Sequence, residues 1–416
     1  MFRHYLSLAV KVLLRRKFFT FISLFGISFT LLVLTVVTAL FDHTFGPDAT
    51  EPLQDRSLYV ERAVMYGPHS TWTGSSGFRL LDQNARNLPG VERLSLYEDG
   101  RTVHSYLDGR KISSTLKRTD AEFWNILHFD FLEGGPYVES DVAAARMVAV
   151  INARTRERFF DGRPAVGQTI EADGQRFRVI GVVENISEVR MTPFAELWVP
   201  YTTAKTDAYK REVMGSWHAV ALARDTAAMP GIHEEFNSRL RRFELPDPKH
   251  YEAIVAPFET KFQVFARMMD VGDRKNPDSH VWRLVGLLAG LGLLFVLIPT
   301  VNLVNINISR IMERASEIGV RKAFGAPART LVGQFLLENV LLTLVGALGG
   351  FILSVVTLRM LERSGLFEYA HFTLNGRIFG YGVTLAILFG LISGVYPAWR
   401  MSRLNPVDAL KGGTSR

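Results

Sequence analysis

From Phe18 to Phe41 the chain carries no charged side chain, and three more apolar runs follow far downstream, at Leu284 to Val304, Leu331 to Val356 and Phe379 to Tyr396. A bilayer core holds no water, so a chain crossing it must satisfy its backbone N–H and C=O groups internally, and ~20 apolar residues in a helix suffice to cross. The fold class these runs imply is an α-helical membrane bundle of four transmembrane helices. A large mixed α/β extracytoplasmic domain is inserted between helices 1 and 2. A signal peptide is the alternative for the first run, with Thr38-Ala39 as part of a cleavage site. Signal peptides hold only about 7–15 apolar residues, so an uncleaved anchor is expected.

Charge sets the orientation. Arg15-Arg16-Lys17 stands before the first run and keeps the N-terminus inside. The expected organisation is a cytoplasmic amphipathic helix (1–17), span 1 (18–41), an external domain (42–281), span 2 (282–304) and a cytoplasmic link (305–329). Span 3 (330–356), a short external loop (357–377), span 4 (378–397) and a cytoplasmic tail (398–416) complete it. The formal net charge of +7 invites a nucleic-acid reading. Nucleic acid is rejected as a partner, because the Lys and Arg excess lies beside the apolar runs, where topology accounts for it. The chain has no cysteine, which excludes disulfides and thiolate metal sites.

The stretch from 42 to 281 has ordinary soluble composition. Strands are expected at Leu58 to Tyr66, Val91 to Tyr97, Met147 to Ile151, Glu196 to Pro200 and Tyr251 to Pro257. Helices are expected at Phe78 to Asn87, Ala153 to Phe160 and Gly231 to Phe243. Gln168 to Ala172 and Arg176 to Val183 read as a hairpin turned at Asp173-Gly174. His233-Glu234 opens like a zinc-protease helix, but Asn237 stands where the second ligand is required, so the motif fails. Asp120 and Glu122 read as helix-start caps rather than paired catalytic acids. No G-x-S-x-G occurs, and the chain is not expected to be an enzyme.

Between the second and third runs, Val301 to Arg329 turns polar and basic. Glu317 stands four residues before Arg321, the favourable order for a helical ion pair, and Ile311, Ala315 and Ile318 share another face. Gly325-Ala326-Pro327 then stops the helix. A basic link is ordinary on the cytoplasmic side, and this one is also placed to dock on a cytoplasmic partner. Pro299, just before it, removes a backbone donor and can hinge the helix. Glu338 and Asn339 lie inside the third run, where an ionisable group is costly; helix–helix contact is preferred over a proton relay. Gly286/Gly290, Gly346/Gly350 and Gly390/Gly394 give small-xxx-small spacing, which permits close helix packing.

The wording of the link is similar to a known signature. Arg314, Glu317, Gly319, Arg321, Gly325 and Ala326 match R-x-x-E-I-G-[IV]-R-[KR]-A-x-G-A, which resembles the coupling helix of MacB/FtsX-type ABC transporter permeases; Phe324 departs from the usual Leu or Met. Thr119-Asp120 with Phe123-Trp124, Phe131-Leu132-Glu133-Gly134, Val148 to Asn152, Val166-Gly167-Gln168 and Phe177 to Val183 resemble the periplasmic core domain of the same family. Pro397-Ala398-Trp399-Arg400 and Asn405-Pro406-Val407-Asp408-Ala409-Leu410 resemble its ending. The likeness is weakest at Asp42 to Glu92 and Thr202 to Val281.

The resemblance implies a multi-pass protein of the bacterial cytoplasmic (inner) membrane with both termini inside and the large domain periplasmic. It implies an ATPase-coupling surface at Arg310, Glu313, Arg314, Glu317, Arg321, Lys322 and Phe324. The chain has no G-x-x-x-x-G-K-[ST] loop, and only a short helix precedes the first run. No cofactor is therefore expected here, with ATP and Mg in a partner ATPase. Further implied partners are a second permease subunit, identical or paralogous, a periplasmic adaptor and membrane lipid. The implied function is mechanotransmission that exports or extracts a peptide, antibiotic, lipid or lipoprotein. The alternative is an FtsX/BceB-like regulator that activates a cell-wall hydrolase or signals to a sensor kinase.

Overall fold

The computed structural model describes residues 17–46, 49–107, 109–269, 274–313, 320, 324, 327–365, 372 and 376–402. They fall into two compact units, one from Asp42 to Val285 and one made of the flanking helical residues. The helices are α1 (Lys17–Phe45), α2 (Phe78–Asn84), α3 (Phe123–Ile126), α4 (Glu139–Ala143), α5 (Ala153–Phe160), α6 (Met229–Arg241), α7 (Lys261–Met268), α8 (Val281–Glu313), α9 (Ala328–Arg363) and α10 (Gly376–Ser402).

The first unit is built on β1 (Ser57–Val60), β2 (Ala63–Tyr66), β3 (Thr71–Ser76), β4 (Val91–Glu98), β5 (Arg101–Leu107), β6 (Arg110–Thr119) and β7 (Phe131–Gly134). It continues with β8 (Val148–Asn152), β9 (Thr169–Ala172), β10 (Gln175–Val183), β11 (Leu197–Pro200), β12 (Met214–Gly215), β13 (Trp217–Ala223) and β14 (Ala253–Val255). The pairing order is β14-β2-β3-β13-β4-β6-β11-β8-β10-β7, with β1 on β13, β12 on β3, β5 on β6 and β9 on β10. β6 runs parallel to β11 and β8 parallel to β10. β8, β11 and β13 are buried at every residue. That is why, Asn152 and His218 apart, they read as apolar runs without alternation. Helices cover the sheet: Phe78, Ile232 and Phe236 of α2 and α6 join Trp217 in one core, while Phe123 of α3 joins Trp198 in another.

The hairpin at Asp173-Gly174 forms as expected, with φ of 55° and 67° at the two turn residues. Both angles are the left-handed values that the tightest hairpin turn demands and that Asp-Gly supplies. α5 also forms over its expected residues, because the Asn152 side chain accepts from the Thr155 N–H at 2.9 Å and caps it.

Other expectations need correcting. Leu58 to Tyr66 is two strands, because the chain turns at Glu61-Arg62 from pairing with β13 to pairing with β3 and β14. α2 stops at Asn84 rather than Asn87, whose φ of 55° cannot continue a helix. The third α/β helix starts at Met229, since Pro230 fits a first turn, and it ends at Arg241 rather than Phe243. The strand expected from Tyr251 to Pro257 is confined to β14.

In the helical unit, the Ser28 hydroxyl donates to the Gly346 carbonyl at 2.8 Å. A Cβ added at Gly346 would lie 2.8 Å from Ile27, and one at Gly350 would lie 2.9 Å from Leu31. α1 and α9 therefore approach through small residues. A Cβ at Gly390 would meet the Thr343 hydroxyl at 2.8 Å, which places α10 against α9 in the same way. Gly286 and Gly290 are different: a Cβ there meets nothing within 4 Å, so that spacing makes no close contact within this chain. α9 runs on to Arg363, beyond the expected end of span 3, because no breaker stands before Ser364-Gly365. Among the described residues, Thr20–Phe45 and Val332–Arg363 are long and apolar enough to cross a membrane. Val281–Phe295 and Phe379–Ile392 are shorter apolar stretches of α8 and α10.

Candidate functional site

The unit from Asp42 to Val285 holds a cavity of about 710 Å³. The last turn of α1 forms one wall, through Thr44 and Phe45. The Phe45 ring meets Phe262 and Phe265 of α7 edge-on, at 5.8 and 5.0 Å. α7 can present those two rings together because they are three residues apart, and Val264 and Met268, four apart, line the cavity beside them. Its start is fixed by a capping box: the Gln263 side chain accepts from the Thr260 N–H at 2.8 Å and the Gln263 N–H donates back to the Thr260 hydroxyl at 3.3 Å.

Charged residues line the cavity as well. Glu61 and Arg62 occupy the corner between β1 and β2, Asp99 follows β4, and His218 stands on β13. His218 Nδ1 lies 2.9 Å from Glu61 and Nε2 lies 3.1 Å from Asp99, at ion-pair distance though without in-line hydrogen-bond geometry. The Tyr97 hydroxyl donates to Glu61 at 2.7 Å, and its ring stacks on His218 at 5.4 Å. Burial alone would lower the His218 pKa, but the Glu61 and Asp99 carboxylates outweigh it and raise the value to about 10. Burial would raise that of Glu61, yet His218, the Tyr97 hydroxyl and Lys117 hold it at about 2.

Three further buried clusters fix the frame. Lys117 donates to the Met191 and Thr192 carbonyls, both at 2.7 Å, and pins the loop that closes one side of the cavity. Burial lowers its pKa to about 8, against the pull of Glu61 and Asp99. The fully buried Glu51 takes Arg190 at 3.1 Å and also pairs with Lys261, which ties the segment after α1 to α7. Arg267 makes a forked pair with Glu259, with contacts from 2.6 to 3.1 Å.

None of these residues was singled out from the sequence. They come from distant segments and share no local motif; the one visible signal was the polar pair Glu61-Arg62 interrupting an apolar stretch. Of the residues that were singled out, Asp120 is a cap: its carboxylate accepts from the Phe123 N–H at 3.1 Å, the Leu96 N–H at 2.8 Å and the Ser95 hydroxyl at 2.6 Å. Glu122 instead pairs with Arg93. His233 faces the Phe258 carbonyl at 2.8 Å.

Arg310 and Glu313 lie on the last turns of α8, and Phe324 is 88 % exposed. Arg314, Glu317, Arg321 and Lys322 lie outside the described residues, as do the N-terminal helix up to Arg16 and the expected tail helix. α8 is helical through Pro299. Glu338 and Asn339 are buried in the helical unit, and the Gln334 amide donates to Glu338 at 3.2 Å along α9.

Residues 20–239 match the MacB-like periplasmic core domain, and residues 289–406 match the FtsX-like permease C-terminal domain. The chain is 21% identical over 332 residues to the uncharacterized ABC transporter permease YknZ of Bacillus subtilis, covering 79% of this chain and 78% of YknZ. It is 27% identical over 280 residues to the macrolide export ATP-binding/permease protein MacB of Bdellovibrio bacteriovorus, covering 66% of this chain and 40% of that protein. The chain thus spans less than half of that relative's length. The extracellular domain of YknZ from Gram-positive bacteria aligns at a TM-score of 0.37 and 15% identity, covering 47% of this chain and 97% of that domain. With the core-domain match covering more than half of its residues and the permease match following in order, the chain belongs to the MacB/FtsX-type family of ABC transporter permeases.

Proposed function

We propose that this chain is the permease subunit of a complex in which a separate cytoplasmic ATPase hydrolyses ATP, with its Mg, and drives movement of the external unit. The observation that carries the reading is the order of the two family matches, a periplasmic core domain and then a permease domain, with the polar link lying inside the second. In this reading α1, α8, α9 and α10 all cross the bacterial inner membrane, both termini are cytoplasmic, and two permease subunits assemble per complex. The link from Arg310 to Phe324 rests on the ATPase, and closure of the ATPase is passed through the helices to expel or extract a substrate. Transmission is mechanical, without passage through a pore. A peptide, antibiotic, lipid or lipoprotein is the substrate class, and a periplasmic adaptor the further partner.

The test has two steps. A tagged chain extracted gently from its native membrane should bring down a Walker-type ATPase; repeated recovery without one, across detergents, would sink the reading. With that ATPase reconstituted, Glu317→Arg and Arg321→Glu should leave ATP hydrolysis running while substrate movement falls about tenfold, as loss of a charge-assisted contact allows. Unchanged coupling in both variants removes the link from the mechanism. A cell-wall hydrolase or sensor kinase recovered beside the ATPase moves the output from transport to regulation.

A further inference from the structure

We infer that the cavity between the last turn of α1 and α7 binds an anionic amphiphile, an apolar chain carrying one carboxylate or phosphate. Its volume of about 710 Å³ lies inside the range of roughly 300–1,000 Å³ typical of small-molecule pockets. The apolar wall is made by Phe45, Val264, Phe265, Met268, Met269 and Met191. The three methionines are exposed, and their flexible thioethers adapt to an alkyl chain better than branched side chains do.

The charged wall selects the head group. Every carboxylate lining the cavity has a cation at hand: Glu61 and Asp99 share His218, with the buried Lys117 close enough to act on both, and Glu259 holds Arg267. Lys261 is matched in turn by Glu51. Arg62 is the exception, for among the described residues its guanidinium has no ion pair or hydrogen bond. A cationic ligand would find no free acid. A neutral one would cover Arg62 without replacing its water. A carboxylate or phosphate would meet a planar, permanently charged fork suited to either. The position fits the same ligand class. One wall is the end of the apolar stretch Thr20–Phe45, which is long and apolar enough to cross a membrane, so the cavity is continuous in sequence with a segment suited to the phase in which an amphiphile partitions.

The inference deepens the permease reading by assigning a ligand class to the external unit, but binding needs no ATPase, so either can fail alone. The probe is palmitate bearing a diazirine, added to phosphatidylcholine vesicles containing the full chain. After irradiation, adducts are mapped by mass spectrometry. Adducts are expected on the Val189 to Thr192 and Val264 to Met269 segments. Unlabelled palmitate and hexadecyl phosphate should displace the probe, and hexadecanol and hexadecyltrimethylammonium should not; displacement by only one of the two anions names the head group. Arg62→Gln should reduce labelling about tenfold, the loss expected of one charge-assisted contact, while Arg62→Lys retains most of it. Met268→Trp, which fills the cavity and leaves Arg62 in place, should also reduce it, with both variants matching the parent in thermal melting. Adducts confined to α8, α9 and α10, equal displacement by all four competitors, stronger displacement by the cation, or full labelling of Arg62→Gln would each overturn the assignment.

Discussion

At the scale of single residues, the unit from Asp42 to Val285 depends on charges taken out of water in matched sets. Removing one partner from such a set leaves the other buried and uncompensated, which typically costs more than the pair itself contributes. His218 makes the point testable. Its folded pKa of about 10 lies above the ordinary histidine value of 6.5. The stabilisation from its charge is therefore complete below pH 6.5 and is lost as pH rises through about 10. Thermal melting of His218→Gln should show a deficit on the order of 3–5 kcal/mol at pH 6, shrinking toward zero above pH 10. Lys117 titrates in part of that window with the opposite trend, since its lowered pKa costs stability that returns above about pH 8. Glu61 and Asp99 also pull on Lys117, so loss of the His218 charge strengthens that pull; at pH 6 Lys117 is charged in both proteins, and the deficit is read there first. A deficit that stays constant from pH 6 to pH 10 would mean that His218 acts by packing on Tyr97 and not by charge.

At the scale of elements, legibility followed how local the determining physics was. The Asp173-Gly174 hairpin and α5 were readable because a turn dipeptide and a cap residue decide them within a few positions. β13 was not anticipated: Trp217 to Ala223 is apolar except for His218 and has no turn signal, so its status as a buried central strand is settled only by β1 and β4 on either side. The cavity was equally invisible, since Phe45, Arg62, His218 and Met268 become neighbours only through the sheet topology. Helix packing stands between these cases. Glycine spacing marked three pairs, and only contact geometry separates those that pack inside the chain from the pair that does not. Gly350→Ile should lower the melting of the detergent-solubilised monomer by about 1–3 kcal/mol, the usual cost of overpacking, because its Cβ would sit 2.9 Å from Leu31. Gly286→Ile, which meets nothing within 4 Å, should stay within about 0.5 kcal/mol of the parent. Equal losses in both would show that close approach to α1 does not decide them, since helix propensity alone favours Ile over Gly at either site.

At the scale of the whole molecule, the number of crossings decides which side of the membrane every other feature occupies. α8 has 33 residues and α10 has 27. At ~1.5 Å per residue both exceed a hydrocarbon core of ~30 Å. With four crossings, the end of α8 faces the cytoplasm and the end of α9 faces outward. With only Thr20–Phe45 and Val332–Arg363 crossing, those two sides are exchanged. The chain contains no cysteine, so single cysteines introduced at the exposed positions Ser140, Ser309 and Ser364 report the side directly. On intact spheroplasts, a membrane-impermeant maleimide should label Ser140→Cys and Ser364→Cys, and should reach Ser309→Cys only after permeabilisation. The reverse pattern, Ser309→Cys labelled on intact cells and Ser364→Cys protected, is what two crossings require. It would place the basic link on the same side as the external unit, out of reach of any ATPase, and the coupling mechanism would fall with it.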